Sequence, residues 1–328
     1  MKKIIYSYFI ICSALAIALI ISHSWSFFSS AKMQISNEKN NESDNVNNDS
    51  FAETEKNEQE QQTNDNGNEL KDNHLRESEK INLEMPYIHE SPDKSWTGPW
   101  KNGCEEASIA MVGYYYLKEK NISIKESMDY MTRLFEKQNQ IWGSNADSDA
   151  SRTAQIINDY TNYNATVITN PEIEQIKAEL RQKQPVISLH YGKELKNPNI
   201  PFLATGSYYH MMVIIGYDDT TKEFITHDTG DIKTGANHRY NYDILMNSLS
   251  DFDHQTKRTG GNPSVIFTYP KFAKSAESNE LYYLNNNAKQ LIPDEKIFSL
   301  KNWDIRAITI VSEKWLKTIK TAEDILIN

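Results

Sequence analysis

Tyr208-Tyr-His-Met-Met-Val-Ile-Ile-Gly-Tyr217, then the polar run Asp218-Asp-Thr-Thr-Lys222, then Glu223-Phe-Ile-Thr-His-Asp228, reads as two apolar strands about a turn. Alternate side chains of a strand face the same way. Pairing outward from a turn centred on Asp219 sets Gly216 opposite Lys222 and His210 opposite Asp228. Directly opposed side chains have Cβ atoms about 5 Å apart, so this register would deliver a carboxylate to an imidazole. A slip of one residue would present His227 instead. Alone, His210 reads as a satisfied core histidine. With an aspartate across from it, it is a candidate base held in one tautomer.

Working outward from the hairpin, Pro185–His190 and Ser264–Tyr269 are further strands, short and apolar. Helical patterns precede them. Cys104–Lys118 carries Ala107, Ala110, Met111, Tyr114 and Tyr115 on one side, and Asn121–Gln138 opens with Ser123 and Glu126 spaced as a capping box. A third helix is expected over about 148–161, and a fourth from an Asn170 cap through Pro171 to about Gln182. Helices first and antiparallel strands afterwards predict an α+β domain over 84–270. Residues 271–328 read as a small β-rich module, with a hairpin turning at Asn285-Asn286-Asn287.

The N-terminal quarter has another texture. Lys2 and Lys3 precede an apolar run from Ile4 to Ile21, about long enough to span a bilayer. The lysines would stay cytoplasmic and place the rest outside. Residues 1–31 are therefore a membrane anchor, or a signal peptide cleaved near Ser29-Ser30-Ala31. Residues 32–83 are rich in Asn, Glu, Asp, Gln and Ser, a composition that cannot bury enough apolar area to fold, and read as a disordered stalk. This segment holds most of the chain's formal charge of −10. The remainder shows no basic stripe, which excludes nucleic acid as an expected partner.

Of two cysteines, Cys12 lies in the apolar run and Cys104 stands alone in the folded part, so no internal disulfide is expected. Cys104 follows Gly103 and opens a helix, where unpaired N–H groups and the helix dipole stabilise a thiolate and lower the thiol's pKa. That makes it a candidate nucleophile, and its own backbone N–H one oxyanion donor. Glu105 and Glu106 in the same turn fit a dipole-complementing role. Asp228 and Asp231 lack the regular spacing of a cation-binding loop, and neither a metal nor another cofactor is expected.

With Cys104, His210 and Asp228 in that order, the sequence resembles the papain-like (clan CA) cysteine peptidases. Within them it looks like the bacterial family related to the bacteriocin-leader peptidase domain of ABC exporters. The matching pieces are Pro86-Tyr87-Ile88, Ser91-Pro92, Trp96, Asn102-Gly-Cys-Glu-Glu-Ala-Ser-Ile-Ala-Met111, Tyr209-His210 through Asp218, and Thr226-His-Asp-Thr-Gly230. The resemblance implies a Cys-His-Asp triad, peptide or protein substrates and an oxyanion-hole glutamine upstream of the cysteine. Here that position is Glu90. An ionised carboxylate cannot donate a hydrogen bond. Glu90 serves there only if protonated, which burial arranges; otherwise Trp96, Asn102 or a second backbone N–H must donate.

The reading is a thiol-dependent peptide hydrolase outside the cytoplasm. The alternatives are a cell-wall peptide amidase of the NlpC or CHAP kind, and a weak or inactive papain-like binding module tethered to the membrane.

Overall fold

The structure, a computed structural model, describes residues 79–200, 208–278, 280–285 and 288–323. The apolar run at residues 4–21, the polar segment up to residue 78 and the turn residues Asn286 and Asn287 lie outside the described residues. Among the described residues no helix is long and apolar enough to cross a membrane.

The chain enters through β1 (Lys80–Asn82). Four helices and strands follow: α1 (Cys104–Tyr116), α2 (Ile124–Trp142), α3 (Ala150–Tyr160), β2 (Tyr163–Thr169), α4 (Ile173–Arg181) and β3 (Val186–Tyr191). Then come β4 (Tyr209–Asp218), β5 (Glu223–His227), β6 (His238–Asn241), α5 (Tyr242–Ser248), the short pair β7 (Phe252–Asp253) and β8 (Arg258–Thr259), and β9 (Ser264–Pro270). The main sheet runs β2-β9-β3-β4-β5-β6, with β1 also on β4, and every pairing in it is antiparallel. This is the expected α+β class. Residues 80–82, expected to end the stalk, are instead a strand: they pair with Gly216–Asp218 because Gly216 lacks a Cβ, which would meet the Ile81 carbonyl at 2.1 Å.

Ser123 and Glu126 form both halves of the predicted capping box on α2. The cap of α4 is Glu172 with Gln175, not Asn170. Asn170 takes a left-handed φ of 51° and donates its N–H to the Pro263 carbonyl, ending β2 rather than starting a helix. Helix α1 is buried on every side from Cys104 to Gly113, so it has no solvent face to betray its phase. It packs on β4 inside a core that includes Ala107, Met111, Met212, Ile214 and Ile266.

The hairpin forms, but about a different centre. Asp218 pairs with Glu223 and Gly216 with Ile225; after a bulge at Ile215, Ile214 pairs with Thr226 and Val213 with His227. One further step brings Asp228 across from Met212, not His210. The extra residue decides the face. Without it Asp228 would fall opposite Val213, on the other side of the sheet from His210. With it, Asp228 lies on His210's face, one diagonal step away.

Beyond β9, β10 (Phe272–Ser275), β11 (Leu281–Asn285), β12 (Ala288–Leu291), α6 (Lys296–Leu300), β13 (Ile308–Val311), α7 (Glu313–Thr318) and β14 (Lys320–Thr321) build a second, mixed sheet in the order β13-β10-β11-β12-β14. It has a small core of its own around Phe272, Leu281, Ile297 and Phe298. Asn164 Nδ2 on β2 donates to the Leu284 carbonyl at 2.8 Å and ties this sheet to the first.

Candidate active site

Gly103 determines what stands over the start of α1. A Cβ there would lie 2.4 Å from the Glu90 carbonyl, so only glycine lets the segment before the helix come this close. That segment is held in place by the Glu90 N–H donating to the Thr229 carbonyl at 3.0 Å and the Tyr87 hydroxyl donating to the Asp228 carbonyl at 3.0 Å. The Glu90 side chain, Cys104 and His210 therefore converge. The Cys104 sulfur, a Glu90 carboxylate oxygen and a His210 ring nitrogen all lie within 4.8 Å of one another.

The strand side is well satisfied. His210 Nε2 is 2.8 Å from Asp228 Oδ1, which leaves Nδ1 as the nitrogen on the Glu90 side, 3.9 Å from Oε2. Asp228 also accepts from the Tyr240 hydroxyl at 2.5 Å and the Gly230 N–H at 3.1 Å, with Asn197 Nδ2 at 3.5 Å. Burial opposes its charge. The charge of a protonated His210 and the hydrogen bonds from His210, Tyr240 and Gly230 outweigh that, and hold the Asp228 carboxyl well below the usual range.

The helix side differs from expectation. Cys104 is 4% exposed, and its thiol donates to Glu105 Oε2 at 3.0 Å. Burial, then the charges of Glu105 and Glu90, push the thiol pKa up. The helix terminus is present, but desolvation and two carboxylates overcome it. Glu105 and Glu106 are buried rather than dipole-facing surface acids. Glu105 Oε1 accepts the Ser148 N–H at 2.9 Å, and burial and Asp147 raise its pKa to about 7. Glu106 accepts from Gln138 Nε2, and burial pushes its pKa upward as well. Glu90 is 1% exposed, and burial followed by the charges of Asp228, Glu105 and Asp147 raises its carboxyl pKa.

Of the other donors considered for an oxyanion hole, Asn102 is exposed at the end of the 3-10 turn Gly98–Asn102. Trp96 has a left-handed φ of 53° and donates its backbone N–H to Ser91 Oγ at 3.0 Å. His227 is buried away from the sulfur, with Nε2 3.0 Å from the Met85 carbonyl and Nδ1 accepting the Asn237 N–H at 3.2 Å. Asp231 is occupied by the Lys233 and Thr234 N–H groups and by Asn197.

Sequence reasoning missed Tyr240, Asn197 and His190. His190 stands directly across β3 from His210, between the hydroxyls of Ser248 and Ser188, each at 2.8 Å. Burial, then the proximity of His210, lowers its pKa to about 3, so it stays neutral. The alternation Ser188–His190 on one strand face was a signal in the sequence; nothing there pointed to Tyr240 or Asn197. Beside the site lies a cavity of about 810 Å3 whose walls include Asp147, Tyr191, Tyr208, Ser248 and Arg258. Cys104 and His210 are not among its lining residues.

A cysteine opening a buried helix, set against a histidine on an antiparallel sheet, is the layout of the papain-like class. The family model described as the Peptidase_C39 like family matches residues 82–259, more than half of the chain, and the chain belongs to that family. No curated protein matches. Among solved structures, a crystal structure described as that of a C39-like peptidase from Bacillus anthracis is similar at 16% identity, over 58% of this chain and 97% of that one, with a TM-score of 0.37.

Proposed function

We propose that the chain hydrolyses peptide bonds with Cys104 as nucleophile, His210 as its base and Asp228 as the group that orients the base. The observation that carries this reading is the 2.8 Å contact between Asp228 and His210 Nε2, which turns Nδ1 toward the sulfur side. His210 takes the thiol proton, the thiolate adds to the peptide carbonyl, the amine leaves with a proton from His210, and water releases the acyl group. Protonated Glu90 and the Cys104 N–H would donate to the oxyanion. Peptide or protein substrates follow from the family. The position outside the cytoplasm, on a single-pass anchor or after its cleavage, follows from the N-terminal sequence alone.

Hydrolysis of a peptide library by the full chain, lost in Cys104→Ala, tests the reading. No cleavage by the wild type over a wide pH range would sink it. Glu90→Gln supplies a permanent amide donor and is expected to raise kcat about tenfold, one bond's worth of oxyanion stabilisation; an unchanged or lower rate would remove Glu90 from the oxyanion hole. The raised thiol pKa favours a second reading, a weakly active or inactive binding module. Alkylation of Cys104 at the rate of an unactivated thiol would support it.

A further inference from the structure

We infer that Cys104, His210 and Glu90 form a binding site for a zinc-class divalent metal ion, and that the occupied site is a blocked state of the thiol. Three different ligand types, from three separate segments of chain, bring one atom each within 4.8 Å of one another. A thiolate, an imidazole and a carboxylate make up a donor set suited to Zn2+. Mg2+ and Ca2+ prefer all-oxygen sites and are disfavoured here.

The orientation of the ring supports the assignment. Nε2 is engaged by Asp228 at 2.8 Å, and Nδ1 is the nitrogen 3.9 Å from Glu90 Oε2. A histidine that ligates a metal through one nitrogen commonly donates its other N–H to a carboxylate, which fixes the tautomer and strengthens the ligand. Asp228 holds that position. An independent observation comes from Glu90. Its Oε1 is fully enclosed and, among the described residues, has no hydrogen-bond partner. A buried carboxylate oxygen with no donor is costly, and a cation would satisfy it. No lysine or arginine among the described residues makes an ion pair with Glu90, Glu105, Glu106 or Asp228.

The distances suit a small closure. A tetrahedral zinc with bonds of about 2.0–2.3 Å holds its ligand atoms roughly 3.3–3.8 Å apart. The Glu90–His210 pair at 3.9 Å is close to that spacing, and side-chain rotation could bring in the sulfur. The thiol proton and the proton that buried Glu90 carries both pass to solvent as the sulfur and the carboxylate ligate. The fourth position is left to water or to Glu105 Oε2, 3.0 Å from the sulfur. With glutamine at position 90 the site would keep the thiol and imidazole but lose the anionic ligand.

Binding does not depend on the peptidase reading; the blocking effect does, because the ion occupies the sulfur and the imidazole nitrogen that hydrolysis would use. The test titrates the full chain with Co2+, followed by sulfur-to-cobalt charge-transfer absorption, and with Zn2+ in competition with a chromophoric chelator. Cys12 is present in every variant, so it is controlled throughout. One thiolate-ligated cobalt per chain is expected. The band should vanish in Cys104→Ser, and Zn2+ affinity should fall roughly tenfold or more in Glu90→Gln and in Asp228→Asn. Glu90→Asp, which keeps a carboxylate, should retain the band, and circular dichroism checks that each variant is folded. No thiolate band in the wild type, or an undiminished affinity in folded Glu90→Gln, overturns the site. If neither wild type nor Glu90→Gln cleaves peptide while the cobalt band obeys these rules, the peptidase reading falls and the metal site stands. If Glu90→Gln cleaves faster and no band is seen, the metal site alone falls.

Discussion

The two sides of the candidate site are built on opposite principles. On the strand side, Asp228 is ionised and engaged by His210, Tyr240 and Gly230, while neutral His190 backs the imidazole. On the helix side, Glu90, Glu105 and Glu106 are buried with raised pKa values around a thiol that is itself hard to ionise, and Glu90 Oε1 and Glu106 Oε2 have no hydrogen-bond partner among the described residues. A satisfied network is preorganised before substrate arrives. An acid-crowded one holds its protons to higher pH, and so sets the conditions under which the thiol can react. In the proposed roles, the histidine is prepared as a base and the cysteine is restrained as a nucleophile.

The largest break in the comparison is Asp228→Asn. An amide can donate to Nε2, which favours the tautomer with its proton on Nδ1, the wrong one for taking the thiol proton. The expected loss in kcat is about 10^3 to 10^4, with KM little changed. Retention of more than a tenth of the rate, measured by peptide hydrolysis, would show that the strand side does not activate the histidine. A smaller effect of opposite sign is expected from Glu105→Gln. The charge of Glu105 is the second cause, after burial, of the raised thiol pKa. Removing it should lower that pKa and speed alkylation of Cys104 up to about tenfold, the equivalent of one pKa unit. Glu105 gains its charge as pH passes about 7, so the difference between variant and wild type should grow across that range. Alkylation rates equal at pH 6 and at pH 8.5 would remove Glu105 as the restraint.

Much of this was legible in the sequence, for identifiable reasons. Helix α2 announced itself by its capping box, and β3, β4, β5 and β9 by β-branched apolar runs. Cys104, His210 and Asp228 were singled out by residue type and order, and the folded chain brings Cys104 within 4.8 Å of His210 and His210 to 2.8 Å from Asp228. The register was not legible, because a bulge at Ile215 has no side-chain signature, and the carboxylate reached the histidine diagonally instead of directly. The burial of Glu105 and Glu106 was hidden for another reason. Acids in a first helical turn look the same whether they face water or the core, and α1 is buried on all sides from Cys104 to Gly113, so the one-sided pattern of Ala107, Ala110, Met111, Tyr114 and Tyr115 gave no sign that Glu105 and Glu106 are enclosed. The pKa of Cys104 then went the other way, since a helix terminus is a local feature and desolvation is a tertiary one. Tyr240 and Asn197 reach Asp228 from β6 and from the segment after β3, and only the folded chain brings them there.

Tyr240→Phe tests the strand side with a smaller change. It removes one charge-assisted hydrogen bond from Asp228 and leaves those of His210 and Gly230. The expected cost is about 2 kcal/mol of stability, read by urea unfolding at pH 7, with kcat lower by only a few-fold because the aspartate stays ionised. A loss as large as that of Asp228→Asn would mean that Tyr240 takes part in the chemistry itself.

The smallest effect on hydrolysis is expected at His190, where the change is in pH dependence. Its pKa is about 3 in the folded chain, against an ordinary value of 6.5 when unfolded. Between those values the unfolded chain binds a proton that the folded chain refuses, so this group makes stability rise with pH; its contribution is complete above about 6.5 and is lost progressively on acidification, by at most about 1.4 kcal/mol per pH unit. Glu90 and Glu105 act in the opposite sense, because their raised folded pKa values favour the folded state at low pH and lower stability as pH rises beyond the ordinary carboxylate value. The wild-type profile is therefore the difference of two slopes, one from each side of the site. His190→Gln removes only the first. Subtracting its unfolding free energies from those of the wild type at pH 5.0, 6.0 and 7.0 should leave a difference that increases with pH up to about 6.5 and is flat beyond it. A pH-independent difference would mean that burial does not hold His190 neutral in the folded protein and that it titrates there as it does in the unfolded chain.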